Sequence, residues 1–215
     1  MAQIFPEWTN NLQTYSALAV VLLLAGAIGF FWYLGSPQYT DVGYRPDQPV
    51  PYSHKLHAGD LGIDCRYCHH NVEKWSVANL PPTQTCMNCH QLILPASDKL
   101  MPVRESWEIK APIQWVRVHD LPDYSYFNHS IHLNAGVGCQ SCHGDIAHME
   151  KVTQVEPLSM GWCLDCHRNP APHLRRSNQL TNTAWTPPED QQDFAEQMIK
   201  EKQIAPPYEC SGCHR

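Results

Sequence analysis

The sequence has no basic stripe and few charged residues. Charged side chains make up 17% of the 215 positions, and 21 Asp and Glu against 15 Lys and Arg give a formal net charge of −6. Proteins that bind nucleic acid neutralise phosphates with clustered Lys and Arg. The composition therefore argues against nucleic acid as a partner.

Aromatic residues are also scarce, at 10% of the chain, whereas Pro and Gly number 18 and 11. This composition is typical of loops and turns. A chain of this kind cannot bury enough aliphatic surface to build a large core of its own. Something other than side chains is expected to fill the interior.

No cysteine falls outside one pattern. All ten belong to Cys-x-x-Cys-His units, numbered here as motifs 1 to 5: Cys65/Cys68/His69, Cys86/Cys89/His90, Cys139/Cys142/His143, Cys163/Cys166/His167 and Cys210/Cys213/His214. Zinc sites and redox dithiols also use Cys-x-x-Cys, but neither needs His directly after the second Cys. With 13 His in the chain, five such placements by chance have a probability on the order of one in a million.

The Cys-x-x-Cys-His unit attaches a c-type haem, with two thiols bonded to the haem and the imidazole bound to its iron. We therefore expect five covalently bound haem c groups, each with the motif His as proximal ligand. Roughly 36 residues are available per haem beyond the N-terminal apolar stretch. The predicted fold is mostly irregular, with short α-helices packed around five haems, and the haem-free chain is not expected to fold.

Each iron needs a sixth ligand, and eight His lie outside the motifs. The candidates near motifs are His54, His57, His70, His129 and His132. Two His in His-x-x-His lie one helical turn apart and can reach two different irons. Because candidates exceed the need, we expect five six-coordinate, low-spin irons that carry electrons without binding substrate.

The remaining side chains are weaker ligand candidates. His119, His148 and His173 are interpreted as surface groups or groups near haem propionates, with His119 kept as a possible ligand. A Met ligand raises a haem potential. Met101, Met149 and Met160 lie near motifs, and Met149 is kept as a ligand candidate, although packing is the alternative for each.

An internal repeat precedes motifs 1 and 3. An aromatic-x-His-x-x-His phrase occurs as Tyr52 to His57 and as Phe127 to His132. Its first His lies eleven residues before the first Cys of motif 1 and ten before that of motif 3. This similarity predicts an internal duplication.

Residues 16–34 form an uncharged run of nineteen residues. As a helix it would be roughly 28 Å long, which matches the ~30 Å hydrocarbon core of a bilayer. A cleaved signal peptide would have a basic start and a small-x-small cleavage site, and both are missing. We predict an uncleaved, single-pass anchor in the cytoplasmic membrane, with the haem domain on the periplasmic side.

The predicted organisation has four parts. They are an N-terminal segment (1–15), a transmembrane helix (16–34), a linker with a two-haem module (35–100), and a connection with a three-haem module (101–215). Four prolines in residues 37–51 favour an extended linker. Thr186 and Glu189 suit a capping box with Pro187 at the first helical position, which predicts a last helix that ends before Pro206.

The repeated phrase followed by Cys-x-x-Cys-His resembles the class III multihaem cytochromes. The resemblance implies that His54 serves motif 1 and that His70 serves motif 2. It also implies that the second His of a phrase serves a haem further along the chain. Motif 5 has no His in the preceding 36 residues, so His132 is the expected ligand there.

A closer resemblance lies in residues 42–54, motif 2, residues 115–123 and residues 160–168, which are similar to the pentahaem cytochrome subunit of alternative complex III. It implies that integral membrane subunits oxidise quinol, that an iron–sulfur subunit lies on the route, and that a monohaem cytochrome c or terminal oxidase receives the electrons. The chain would then be an electron-transfer subunit and not an enzyme on its own. Its apolar helix has no acid or His that could form a quinol site by itself.

Two other classes remain. A stand-alone membrane quinol dehydrogenase of the multihaem anchor type would need an open or unusual haem at the membrane surface. A multihaem reductase would need a vacant iron position, and the excess of His disfavours it.

Overall fold

The computed structural model describes residues 4–214, and these divide into two compact units. The first ends at Asp41 and the second begins at Val42. Between residues 4 and 214 there is no β-strand, and only two isolated bridges occur, Ser125 with His214 and Val137 with Leu174. The helix-rich character agrees with the predicted fold class.

The first unit is dominated by one long helix. A 3₁₀ turn (Glu7–Asn11) leads into α1 (Leu12–Leu34), and a short α2 (Pro37–Thr40) follows. From Glu7 to Leu34 the helix is long and apolar enough to cross a membrane, and none of its most apolar window is buried. A membrane anchor and a signal sequence both meet this description.

The second unit contains eight short helices within its described residues. They are α3 (Cys65–Cys68), α4 (Thr83–His90), α5 (Met101–Ile109), α6 (His129–Ala135), α7 (Gln140–His143), α8 (Met160–Arg168), α9 (Gln191–Lys202) and α10 (Cys210–Cys213). A π-helical turn (Lys55–Asp60) and four 3₁₀ turns (Asp98–Leu100, Ile146–His148, Ala171–His173, Ser177–Gln179) connect them. Five of the eight helices carry the five motifs.

The start of the second unit is held in place rather than extended as a free linker. Gly43 donates its N–H to the Gln154 carbonyl at 2.8 Å, and the Gln154 N–H returns a bond to Tyr44 at 3.0 Å. The Gln48 amide exchanges two hydrogen bonds with the Val116 backbone. Residues 43–48 are therefore tied to distant parts of the same unit.

The aliphatic core is thin. One cluster joins α4 and α5 around Val50, Met87 and Val103, and the other packs α9 against the 3₁₀ turn at Ala171–His173. Among the described residues, nine hydrophobic side chains are buried. This small number agrees with the prediction that side chains alone do not fill the interior.

The last long helix exists as predicted, but its start was predicted wrongly. Helix α9 begins at Gln191 with Asp190 as its N-cap, and not at Pro187. Pro187 precedes another proline, and a residue before proline is disfavoured in the α conformation. The Thr186–Glu189 capping box therefore does not form, while Gln203 ends the helix in the left-handed conformation, before Pro206 as expected.

Candidate haem sites

Each motif lies on or beside a helix: motifs 1, 3 and 5 at a single helical turn, and motifs 2 and 4 in the C-terminal part of the eight- and nine-residue helices α4 and α8. The backbone N–H of the motif imidazole residue donates to the carbonyl of the first Cys, at 2.9 Å for His69, 3.0 Å for His143 and 2.8 Å for His214. In such a turn, residues three apart lie on the same helix face. Both thiols of a motif can therefore face one porphyrin edge while the following imidazole points across its plane.

Hydrogen bonds from Nδ1 to a backbone carbonyl orient four of the five motif imidazoles. The pairs are His69 with Asn79 (2.7 Å), His90 with Ile93 (2.9 Å), His167 with Pro207 (2.8 Å) and His214 with Tyr124 (3.1 Å). A carbonyl only accepts, so each Nδ1 must carry the proton. That tautomer leaves the Nε2 lone pair free for iron, the arrangement that outer hydrogen bonds impose on metal-bound His.

Three predicted distal ligands show the same arrangement. The Nδ1 atoms of His57, His129 and His132 bond to the carbonyls of Ser53 (2.8 Å), Ser76 (2.9 Å) and Asn128 (2.8 Å). Their Nε2 atoms are therefore also available to a metal. The Nδ1 of His148 also bonds to an acceptor, the Asp145 carboxylate at 2.8 Å, but the His148 side chain is 66% exposed, and no ring contact joins it to another imidazole among the described residues.

Imidazoles come together in pairs at the spacing of two axial ligands. The ring centroids lie 6.2 Å apart for His57 and His90 of motif 2, 6.2 Å for His132 and His167 of motif 4, and 6.5 Å for His129 and His143 of motif 3. Two imidazoles bound on opposite sides of one iron have centroids about 6 Å apart, given metal–nitrogen bonds of about 2 Å. The chain thus fits a haem iron at three motifs.

The repeated phrase has the same geometry in both copies. The aromatic ring stacks on the second His at 4.4 Å, with Tyr52 on His57 and Phe127 on His132. It meets the first His edge-on, at 4.9 Å for Tyr52 and 4.7 Å for Phe127. The duplication seen in the sequence is therefore a structural repeat.

Motifs 1 and 3 share a cluster of imidazoles. The ring centroids of His119 and His143 lie 4.5 Å apart. The Nε2 of His119 is buried with no hydrogen-bond partner among residues 4–214. Burial lowers the pKa of His119, and burial with the neighbouring His69 lowers the pKa of His54 to about 4. Burial and then His119 lower the pKa of His143 to about 3. These rings are held neutral, the form that binds metal.

Two assignments carried over from the resemblance do not agree with this geometry. His57 faces the motif 2 His, where His70 was expected, and His70 is exposed. His132 was expected at motif 5, but its ring faces His167 of motif 4. The ring contact of the motif 5 His is with Tyr124, at a centroid distance of 5.8 Å. The reason is helical spacing, since His132 lies one turn after His129 and reaches the next haem site rather than the last.

The two axial ligands predicted for motif 1 do not appear as a pair of facing imidazole rings. His54 was expected to share an iron with His69, but no ring contact joins these two imidazoles within residues 4–214. The Nδ1 of His54 is buried without a hydrogen-bond partner among the described residues, whereas that of His57 bonds to the Ser53 carbonyl. The assignment of His54 to motif 1 therefore depends on the repeat and not on an observed axial spacing.

Sequence reasoning underrated His119 and missed Arg175. Arg175 is a charged residue only 3% exposed, and its guanidinium donates to the Asn182 carbonyl and the Gln140 side chain, each at 2.9 Å. Its Nε is buried without a hydrogen-bond partner among the described residues. No periodic pattern marks either residue, because both are brought to motif 3 by irregular segments.

The remaining ligand candidate, Met149, lies beside the first phrase, because its carbonyl accepts the Lys55 N–H at 3.0 Å. Within residues 4–214, no three His, Cys, Asp or Glu side chains meet in a way that would hold a metal ion directly, so predicted ligands such as His69 and His167 do not form a metal site by themselves. A haem iron needs only two axial ligands from the protein. The donor set is suited to haem.

Two families of known proteins match parts of the chain. Residues 131–215 match the family described as Cytochrome c3, and residues 36–107 match the Class III cytochrome C family. A curated relative is the "Menaquinone reductase, multiheme cytochrome c subunit" of Nitratidesulfovibrio vulgaris (strain Hildenborough). It is 28% identical over an alignment that covers 58% of this chain and 70% of the relative. The matches indicate covalently bound haem c and a role in electron transport.

Proposed function

We propose that this class III-type multihaem cytochrome c carries five haems and relays electrons between a quinol-oxidising membrane complex and a periplasmic one-electron acceptor. Each haem, when bound, supplies a site for one electron. The observation that carries the proposal is the set of three imidazole pairs at 6.2 to 6.5 Å. Irons with two imidazole ligands have no open position for substrate, as an electron carrier requires.

The ligand assignment follows the repeat. His57 and His132 serve motifs 2 and 4, and His129 serves motif 3. By equivalence His54 serves motif 1, whose His69 imidazole is one of the groups that lower its pKa. Motif 5 has no partner among the phrase His residues in this assignment, so a methionine or His173 is its expected sixth ligand.

The partners and location are part of the same proposal. Helix α1 is the anchor, the haem unit lies on the periplasmic side, and the quinol site belongs to integral membrane subunits, because α1 has no Asp, Glu or His that could accept the quinol protons. An iron–sulfur subunit and a monohaem cytochrome c or terminal oxidase complete the route, as in alternative complex III. The chain has no catalytic step of its own.

The number of haems is tested by intact mass and by the absorbance of pyridine haemochromes. We expect a polypeptide of 24.5 kDa to gain the mass of five haems, with no thiol left for iodoacetamide after denaturation. A labelled cysteine or a smaller mass gain would show that one motif is not a haem site.

The relay is tested by adding a quinol to the intact membrane complex and to the purified chain. We expect fast haem reduction in the complex and none in the chain alone. Reduction of the isolated chain would instead identify a stand-alone quinol dehydrogenase. A high-spin haem that binds nitrite or CO would identify a reductase.

A second candidate reverses the direction, because the matched relative is named as a menaquinone reductase. A haem relay conducts either way, and the potentials of its partners decide. In that case a reduced periplasmic donor, and not quinol, would reduce the haems in the complex, and added quinone would reoxidise them.

A further inference from the structure

The five motifs are joined by specific contacts, and these contacts connect them in one order. Motifs 1 and 2 are neighbours through the first phrase, which directly precedes motif 1 and whose His57 ring faces the motif 2 His at a centroid distance of 6.2 Å. A side-chain bond also links them, from Asn88 in motif 2 to the Tyr67 hydroxyl in motif 1 at 3.1 Å. These two haem sites are neighbours.

Motifs 1 and 3 are joined by two consecutive residues. Thr181 donates its hydroxyl to Asp64, the N-cap of the motif 1 helix, at 3.0 Å. The carbonyl of Leu180 accepts the N–H of the first Cys in motif 3 at 3.0 Å.

Motifs 3 and 4 are joined through α6. His129 faces the motif 3 His and His132 faces the motif 4 His, one helical turn away. One short helix therefore holds ligands for both sites.

Motifs 4 and 5 are joined by Pro207. Its carbonyl accepts the Nδ1 proton of His167 in motif 4 at 2.8 Å. Its ring packs against Gly212, inside the Cys-x-x-Cys of motif 5, closely enough that a Cβ on Gly212 would lie 2.6 Å from the Pro207 Cβ. A larger residue at either position would separate the two sites.

The ends of this order are also the exposed ends. Of the ten cysteines, Cys89 in motif 2 and Cys210 in motif 5 are exposed, and the other eight are partly covered. Within residues 4–214, no hydrogen bond or ring contact joins the residues of motif 2 directly to those of motifs 3, 4 or 5. Motif 5 likewise has no such contact with motifs 1 or 2.

We propose that the five haem sites form one unbranched array in the order of motifs 2, 1, 3, 4 and 5, with electron entry and exit at motifs 2 and 5. The inference rests on the proposed electron relay. One electron moves per step, so each haem is reduced by one neighbour and oxidised by the other. At one end the partner is a membrane complex that either oxidises quinol and donates electrons or accepts electrons and reduces quinone, and at the other end the partner is a one-electron carrier such as a monohaem cytochrome c.

The order is tested by injecting electrons at one end of loaded protein. Ala96 is exposed and follows motif 2 by six residues, and Ala96→Cys would be the one free thiol for a ruthenium photosensitiser. Four further variants each remove one haem by Cys→Ala changes in motif 1, 3, 4 or 5. The loaded protein is then excited with light flashes in the presence of a sacrificial donor and at a low protein concentration. The absorbance change gives the number of haems that are reduced before the slower transfer of electrons between protein molecules.

In the labelled parent all five haems should be reduced quickly. Removing the haem of motif 1, 3, 4 or 5 should leave one, two, three or four quickly reduced haems, since each gap isolates the sites beyond it. Haemochrome absorbance identifies the variants that retain four haems, and any of these that lacks the motif 1, 3 or 4 haem tests the order. If the variant without the motif 3 haem still reduced four haems quickly, the array would be branched and the proposal overturned. Because neither quinol nor a partner is used, failure of the relay function would not affect this result.

Discussion

His57 and His132 hold the same position in two copies of one ligand unit. Each stacks on an aromatic ring at 4.4 Å, each bonds through Nδ1 at 2.8 Å to the carbonyl four residues earlier, and each faces a motif His at 6.2 Å. The partner motif is the second one after the phrase in both copies. The repeated unit therefore consists of one phrase and two motifs, and motif 5 is an addition to the second copy.

Replacing either residue should remove one axial ligand from one iron. We expect His57→Ala and His132→Ala each to convert one haem from low-spin to high-spin, seen by electron paramagnetic resonance and in the visible spectrum. His148→Ala is the matched control, since that ring is exposed and bonded to Asp145.

His70→Ala separates the structure from the resemblance. The resemblance assigns His70 to motif 2, whereas the ring that faces the motif 2 His is that of His57. We expect His70→Ala to keep all irons low-spin. A high-spin haem in this variant, with an unchanged His57→Ala spectrum, would restore the assignment taken from the class III pattern.

The sequence predicted the motifs, the repeat and a helix close to α9, because these depend on local spacing. It could not predict the groups that orient the rings. The Ser76 and Asn79 carbonyls lie in an irregular segment, and Asn79 adopts a left-handed conformation, φ 61°, that Asn tolerates better than most residues. His119 reaches motif 3 from twenty or more residues away along an irregular connection, so no periodicity reveals it.

Arg175 should raise the potential of one haem. A buried positive charge beside motif 3 favours the reduced form of a nearby haem, which carries one positive charge less. We expect Arg175→Met to lower the midpoint potential of one haem in a redox titration followed by electron paramagnetic resonance. The volume is nearly kept, although the side chain of Gln140 loses a partner.

Arg176→Met is the control for this change. Arg176 is the next residue, but its side chain is 60% exposed and lies 3.7 Å from the Asp190 carboxylate. Solvent screens such a charge. Equal shifts in the two variants would show that Arg175 acts through overall charge and not through its position.

Gly59 should be required for contact between the first phrase and the segment after motif 3. A Cβ at this position would collide with the Ala147 carbonyl oxygen. Overpacking of this kind costs about 1–3 kcal/mol. We expect Gly59→Ala to lower the thermal unfolding temperature of the loaded protein. At Gly161 the nearest atom to an added Cβ is 4.0 Å away, so Gly161→Ala should leave that temperature unchanged or raise it.

A charge at the middle of α1 should prevent membrane insertion if this helix spans the bilayer. Leu23 is the central residue of Leu12–Leu34, and Arg at the bilayer centre costs about 2.5–3.5 kcal/mol on insertion scales. We expect Leu23→Arg to reduce the fraction that resists alkaline extraction from membranes and to weaken complex assembly, while molecules that are still translocated load haem normally. Gln13→Arg places the same charge near the start of α1, where the side chain can reach the interface, and should insert normally. If Leu23→Arg inserted as well as Gln13→Arg, α1 would not be a membrane-spanning anchor, and the haem unit would have to reach its membrane partners by protein contacts alone.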